Sequence, residues 1–156
     1  MMVNLRRVIL LLLCATFFGV IESQAADTVS VAISTKDKKL NSTVANEDSI
    51  TGGGLHKLYA YIKLVSDTAN ISPNVLYFEW ILHREGKDLV LSNYNTDKKW
   101  LIYERRLDVV EDYYRVHKTV FGSNPGVYEF RVYEKNSDGK YELIENARTV
   151  IEEGEK

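Results

Sequence analysis

From Leu55 to Val65 the chain reads LHKLYAYIKLV, with Leu58, Ala60, Ile62 and Leu64 at every second position and Tyr59, Tyr61 and Lys63 between them. Successive side chains of a strand point to opposite faces, so this period of two predicts a long, half-buried strand. The alternation recurs in VLYFEWILHR, residues 75–84, where Leu76, Phe78, Trp80 and Leu82 share one face and Tyr77, Glu79, Ile81 and His83 the other. It recurs from Val127 to Glu134, where Tyr128, Phe130 and Val132 alternate with Glu129, Arg131 and Tyr133. Shorter versions cover Thr28 to Ser34 and Trp100 to Arg105, and the turns before them place further strands over Asp88 to Ser92 and Tyr141 to about Ile151. One stretch is mixed: Leu107, Val110 and Tyr114 have helical spacing, whereas Tyr114, Val116, Lys118 and Val120 have strand spacing. A strand over Tyr113 to Val120 is the reading adopted.

Turn chemistry punctuates these runs. Glu85-Gly86 reverses the chain, Pro125-Gly126 offers the fixed φ and the φ > 0 of a type II turn, and Asp138-Gly139 is a strong hairpin signal. Lys36 to Gly54, KDKKLNSTVANEDSITGGG, is polar and predicts a long connector. No Gly-Lys-Ser/Thr follows Gly52-Gly53-Gly54, so the run reads as a flexible lead into a strand rather than a phosphate cradle. About eight short strands and only two prolines predict an all-β fold, a single antiparallel sandwich. Its expected core is Leu58, Ile62, Phe78, Trp80, Phe130 and Val132.

The first 25 residues change the picture of location. Arg6 and Arg7 precede an apolar run from Val8 to about Ile21, and Ser23-Gln24-Ala25 follows, as in a secretory signal peptide cut after Ala25. The run is too short to span a bilayer, so no membrane insertion of the mature chain is expected. The expected organisation is a signal peptide over 1–25, a first strand and polar connector over 26–54, a sandwich core over 55–151 and an exposed acidic tail over 152–156. Cys14, the only cysteine, lies in the leader, which leaves a mature domain without disulfides and favours the bacterial periplasm or exterior. Losing Arg6, Arg7 and Glu22 with the leader takes the net charge from −2 to −3. That balance argues against a nucleic-acid partner.

FEWILHREGKDLVL, Trp100 and YRVHKTVFGSNPGVYEFRVYEKNSDGKYELIENARTV together resemble the immunoglobulin-like domains of unknown function in bacterial secreted and membrane-anchored proteins. An aromatic strand, a Gly-Lys turn, a Pro-Gly before a tyrosine strand and a final Asp-Gly hairpin carry the resemblance, over roughly Val75 to Ile151. It implies an immunoglobulin-like β-sandwich and a binding or structural module; the family has no established catalytic residues to carry over.

Candidate chemistry is sparse. His56, His83 and His117 fall on separate strands without a close pair, so no metal site is expected, and no cofactor. Gly122-Ser123 lacks the glycines of a nucleophile elbow, and the acidic neighbours Glu111-Asp112 and Glu152-Glu153 do not face one another across a cleft. No catalytic residue is assigned. Tyrosine is enriched, and Tyr59 and Tyr61 share one face of one strand, about 7 Å apart by strand geometry. They are the expected binding residues of a non-catalytic module that meets a protein or glycan of the cell envelope through an exposed sheet face or an edge strand. The alternative is a small secreted hydrolase, or a hydrolase inhibitor presenting the loop Asn93 to Lys99.

Overall fold

The computed structural model describes residues 28–65, 76–96, 102–106 and 111–153. The expected leader, Asp97 to Lys99 of the candidate inhibitor loop and the last residues of the tail lie outside the described residues. In chain order the strands are β1 (Thr28–Ser34), β2 (Ser49–Ile50), β3 (Leu55–Val65), β4 (Leu76–Arg84) and β5 (Lys87–Asn95), then β6 (Ile102–Arg106), β7 (Glu111–Phe121), β8 (Gly126–Lys135) and β9 (Tyr141–Ile151).

They form two sheets, one ordered β1-β3-β7-β6 and the other β2-β9-β8-β4-β5. Neighbours pair antiparallel throughout, except that the two residues of β2 run parallel to Val150 and Ile151 of β9. This is the strand order of an immunoglobulin-like sandwich. A second hallmark agrees: the Tyr128 hydroxyl, at the start of β8, donates to the Asn124 carbonyl at 2.8 Å, forming a tyrosine corner. Two residues on, where antibody domains place a cysteine, stands Phe130, and Cys14 is the only cysteine of the chain. The core is therefore held by packing alone. Trp80 on β4 meets the Phe130 ring edge-on at 4.9 Å, and Phe78 stacks on it at 5.8 Å. The expected core residues Leu58, Ile62, Phe78, Trp80, Phe130 and Val132 are all buried.

β7 is strand throughout, because β3 and β6 take up its backbone on both sides and seat Tyr114 opposite Ile62 and Val116 opposite Ala60. Helical spacing carried by three residues cannot compete with two ladders. Two expectations of loop structure are corrected. The polar connector contains β2, which the sequence hid because two residues show no period. Asn93 to Asn95 lie in β5 opposite Glu79 and Tyr77, so the start of the candidate inhibitor loop is ladder.

The turns differ in detail. Glu85 and Gly86 both have positive φ, 52° and 70°, which makes the β4–β5 connection a two-residue type I′ hairpin. Pro125-Gly126 does not form the expected type II turn. The bend closes earlier, with Asn124 N–H donating to Phe121 O at 2.9 Å, and Gly126 opens β8 with φ 154°. The Gly52–Gly54 run leads into β3 as expected, with open space around all three glycines, and the Gly52 and Gly54 carbonyls are taken up by hydrogen bonds. Gly122 donates to the Gly54 carbonyl, and a side chain at Gly122 would come within 2.6 Å of Gly52 O. His56 Nε2 sits 2.9 Å from that same carbonyl.

Candidate functional site

The two outer faces of the sandwich differ in what covers them. On the four-stranded sheet, Tyr59 and Tyr61 do stand side by side, ring centroids 6.4 Å apart. The expectation that they are exposed is wrong: they retain only 7% and 6% of their accessible surface. The connector after β1 folds over them. Tyr61 O–H donates to the Lys36 carbonyl at 3.0 Å and accepts from Lys38 N–H at 2.6 Å, while Arg115 pairs with Asp37. Around Tyr59, Lys57 and Arg115 place their cations 5.2 and 5.7 Å from the ring and His117 lies 6.1 Å away. A charged, polar connector reads as solvent-borne loop in sequence, yet its backbone groups found the tyrosine hydroxyl.

The outer face of the five-stranded sheet is built differently. Cross-strand register places His83 opposite Asp88 and Val127, Ile81 opposite Val90 and Glu129, and Glu129 opposite Arg148. Long side chains from three strands close over Glu129, which is fully buried on an outer face. One carboxylate oxygen lies 2.5 Å from His83 Nε2 and accepts from Arg131 at 2.9 Å; the other accepts from Asn146, with Arg148 at 3.3 Å. His83 Nδ1 in turn lies 2.6 Å from Asp88. Burial pushes the Glu129 pKa up, but the bonds from Arg131, Asn146 and His83 outweigh it and hold the carboxyl at about 2. A buried carboxylate is tolerable only when its lone pairs are this completely engaged.

Next along the strands is an aromatic group. Tyr77 contacts Tyr133 at 5.7 Å and Tyr141 at 5.3 Å. The Tyr77 and Tyr133 hydroxyls each donate to a different oxygen of Glu79, both at 2.9 Å. Burial and the neighbouring Glu79 push the Tyr77 pKa up to about 12, so its ring stays neutral and its hydroxyl stays a donor. Within this trio Tyr141 is 39% exposed, Leu143 beside it is 51% exposed, and Val90 is 55% exposed across the sheet. The arrangement is an apolar and aromatic surface next to a charge network whose members neutralise one another. Sequence alternation placed Tyr77 and Tyr133 on this face; it could not foretell Tyr141 or Leu143, because β9 slips register between the partners of Val132 and Tyr133.

The histidines do not converge. His56 is at the glycine run, His83 on the five-stranded face and His117 on the four-stranded one, and among the described residues no three potential ligands gather.

No family model matches the chain, and no curated protein resembles it closely. Among solved structures, murine CRIg is 10% identical, with a TM-score of 0.40 over 83% of this chain and 99% of that one. The soluble domain of PmoD from Methylocystis sp. is 13% identical, with a TM-score of 0.41 over 81% of this chain and 93% of that one. Likenesses this distant carry no argument about function. The immunoglobulin-like fold stands on the strand order and the tyrosine corner.

Proposed function

We propose that the protein is a non-catalytic interaction module of the bacterial cell envelope, exported by its leader, that docks a protein or glycan on the outer face of its five-stranded sheet. The carrying observation is the Tyr77–Tyr133–Tyr141 group with Leu143 and Val90 exposed beside it, in contrast to the covered Tyr59 and Tyr61. Aromatic side chains with an apolar body and a hydroxyl tip give large contact area at little entropic cost, and a polar, charged rim excludes water around it. The titratable groups of the face support binding rather than turnover. His83, Asp88, Glu129 and Arg131 satisfy each other and are not aimed at an empty cleft.

The double variant Tyr141→Ser, Leu143→Ser tests this. Both side chains are exposed, so the fold should lose less than about 1 kcal/mol. Capture of envelope partners by the immobilised domain should fall at least roughly tenfold, the scale of one interface hot spot. Undiminished capture by a folded double variant contradicts the assignment of this face.

A further inference from the structure

The outer face of the four-stranded sheet gathers positive charge around Tyr59. Lys57, Tyr59 and Tyr61 follow at every second residue of β3, and Thr119, His117 and Arg115 stand opposite them on β7. Lys57 Nζ lies 5.2 Å from the centre of the Tyr59 ring, the Arg115 guanidinium carbon 5.7 Å and the His117 ring 6.1 Å. Carboxylates to balance them are short. Where the connector crosses Tyr61 its acid, Asp37, is taken by Arg115, and Glu47 is bound to the Ser34 and Thr35 hydroxyls. No carboxylate among the described residues pairs with Lys57. His117 registers the excess: burial pushes its pKa below the ordinary histidine value, Lys57 and Arg115 push it the same way, and only Asp37 opposes them. From β5, Tyr94 donates to the His117 carbonyl at 3.3 Å. The Tyr59 hydroxyl takes no partner among the described residues and keeps its contact with solvent.

We propose that Lys57, the Tyr59 hydroxyl and His117 bind one phosphate monoester group on this face. Shape and charge select it. The donors left over are an ammonium, a phenol and an imidazole, separate points that suit the several oxygens of a tetrahedral anion. A carboxylate is best held by the flat fork of an arginine, and here Arg115 Nη1 is already committed to Asp37 and, at 3.1 Å, to the Lys38 carbonyl. A monoester near neutral pH carries up to two negative charges, which answers the unbalanced cations more fully than the single charge of a diester. Thr119, exposed opposite Lys57, adds a hydroxyl at the rim. One phosphate group reaches no further than this cluster, so Leu55 and Phe121, the next pair out along the strands, stay in solvent. The site lies on the opposite sheet from Tyr141 and Leu143, so its test and theirs succeed or fail independently.

The probes are methyl phosphate, dimethyl phosphate and acetate, each titrated at low salt into the isotopically labelled mature domain while the ring resonances of His117 and Tyr59 are followed. Methyl phosphate is expected to shift both rings in a saturable way, with Kd on the order of 1 mM. At saturation it should move the titration midpoint of His117 upward, because a bound dianion favours the imidazolium. Dimethyl phosphate and acetate should bind several-fold more weakly. Lys57→Gln should weaken methyl phosphate about fivefold, the scale of one exposed ion pair, at an unchanged thermal midpoint. Without ligand the same variant should titrate His117 at higher pH, since one of the cations that depress it is gone. Tyr59→Phe keeps the ring and should also bind several-fold more weakly. A His117 ring that ignores methyl phosphate overturns the proposal. So does acetate that binds as tightly as methyl phosphate, or a Lys57→Gln or Tyr59→Phe domain of native affinity. Dimethyl phosphate of equal affinity would assign the cluster to phosphodiesters and overturn the monoester.

Discussion

Trp80→Ala should lower the unfolding free energy by about 3–5 kcal/mol, the scale of a large aromatic removed from a packed core. Trp80 is wholly buried between the sheets, in contact with Phe130 and in the same cluster as Phe78, Leu82 and Leu58. Without an inter-sheet disulfide nothing covalent limits the loss, and urea melts should show a midpoint shift at nearly constant slope. The indole Nε1–H is buried without a partner, which already costs the native state something. Trp80→Phe discards that unpaired donor along with part of the volume, so its loss should be well under half that of the alanine variant. Equal losses would mean that a phenyl ring at this position recovers none of the packing that alanine forfeits.

The second large effect belongs to Glu129. Its carboxyl is held at about 2 against an ordinary 4.5, because folding engages the ionised form with Arg131, Asn146 and His83. A depressed acid contributes stability that is present above its unfolded pKa and is lost as pH falls through its folded pKa. The window is therefore roughly pH 4.5 down to 2, and the contribution is on the order of 3 kcal/mol. Urea unfolding at pH 6 and at pH 2.5 should show the native domain losing most of this amount. Glu129→Gln, already weakened at pH 6 because Arg131 and His83 lose their charged partner, should lose markedly less on acidification. An equal acid sensitivity in both would assign the acid transition to other carboxylates.

Much of the sandwich was legible because strand alternation and core burial share one cause. Leu58, Ala60, Ile62 and Leu64 repeat every second residue, and the interior they face is the only place where that repeat is stabilising. The same logic failed on the outer faces. A period of two says that Tyr59 and Tyr61 leave the core, but not whether solvent or a connector meets them. That depended on Lys36 and Lys38 offering backbone groups to one hydroxyl, a contact across 23 to 25 residues with no local signature. Glu129 was likewise invisible: an alternating glutamate reads as solvated until Arg131, Asn146, Arg148 and His83 are brought together from three strands. Bulges add to this. Extra residues Leu91 in β5 and Ile144 in β9 turn inward against the core and re-aim the positions beyond them, which is how Leu143 and Tyr141 reach the aromatic face.

Hydroxyl-radical footprinting tests most directly whether that face is where the protein works. Tyr141, Leu143 and Val90, at 39%, 51% and 55% exposure, report on the five-stranded sheet, and Leu55 and Phe121, at 64% and 60%, report on the far end of the other. With the domain bound to bacterial envelope extract, oxidation of the first three should drop severalfold while Leu55 and Phe121 stay as reactive as in the free domain. Protection confined to Leu55 and Phe121, or no protection at any of the five, would contradict the proposed face.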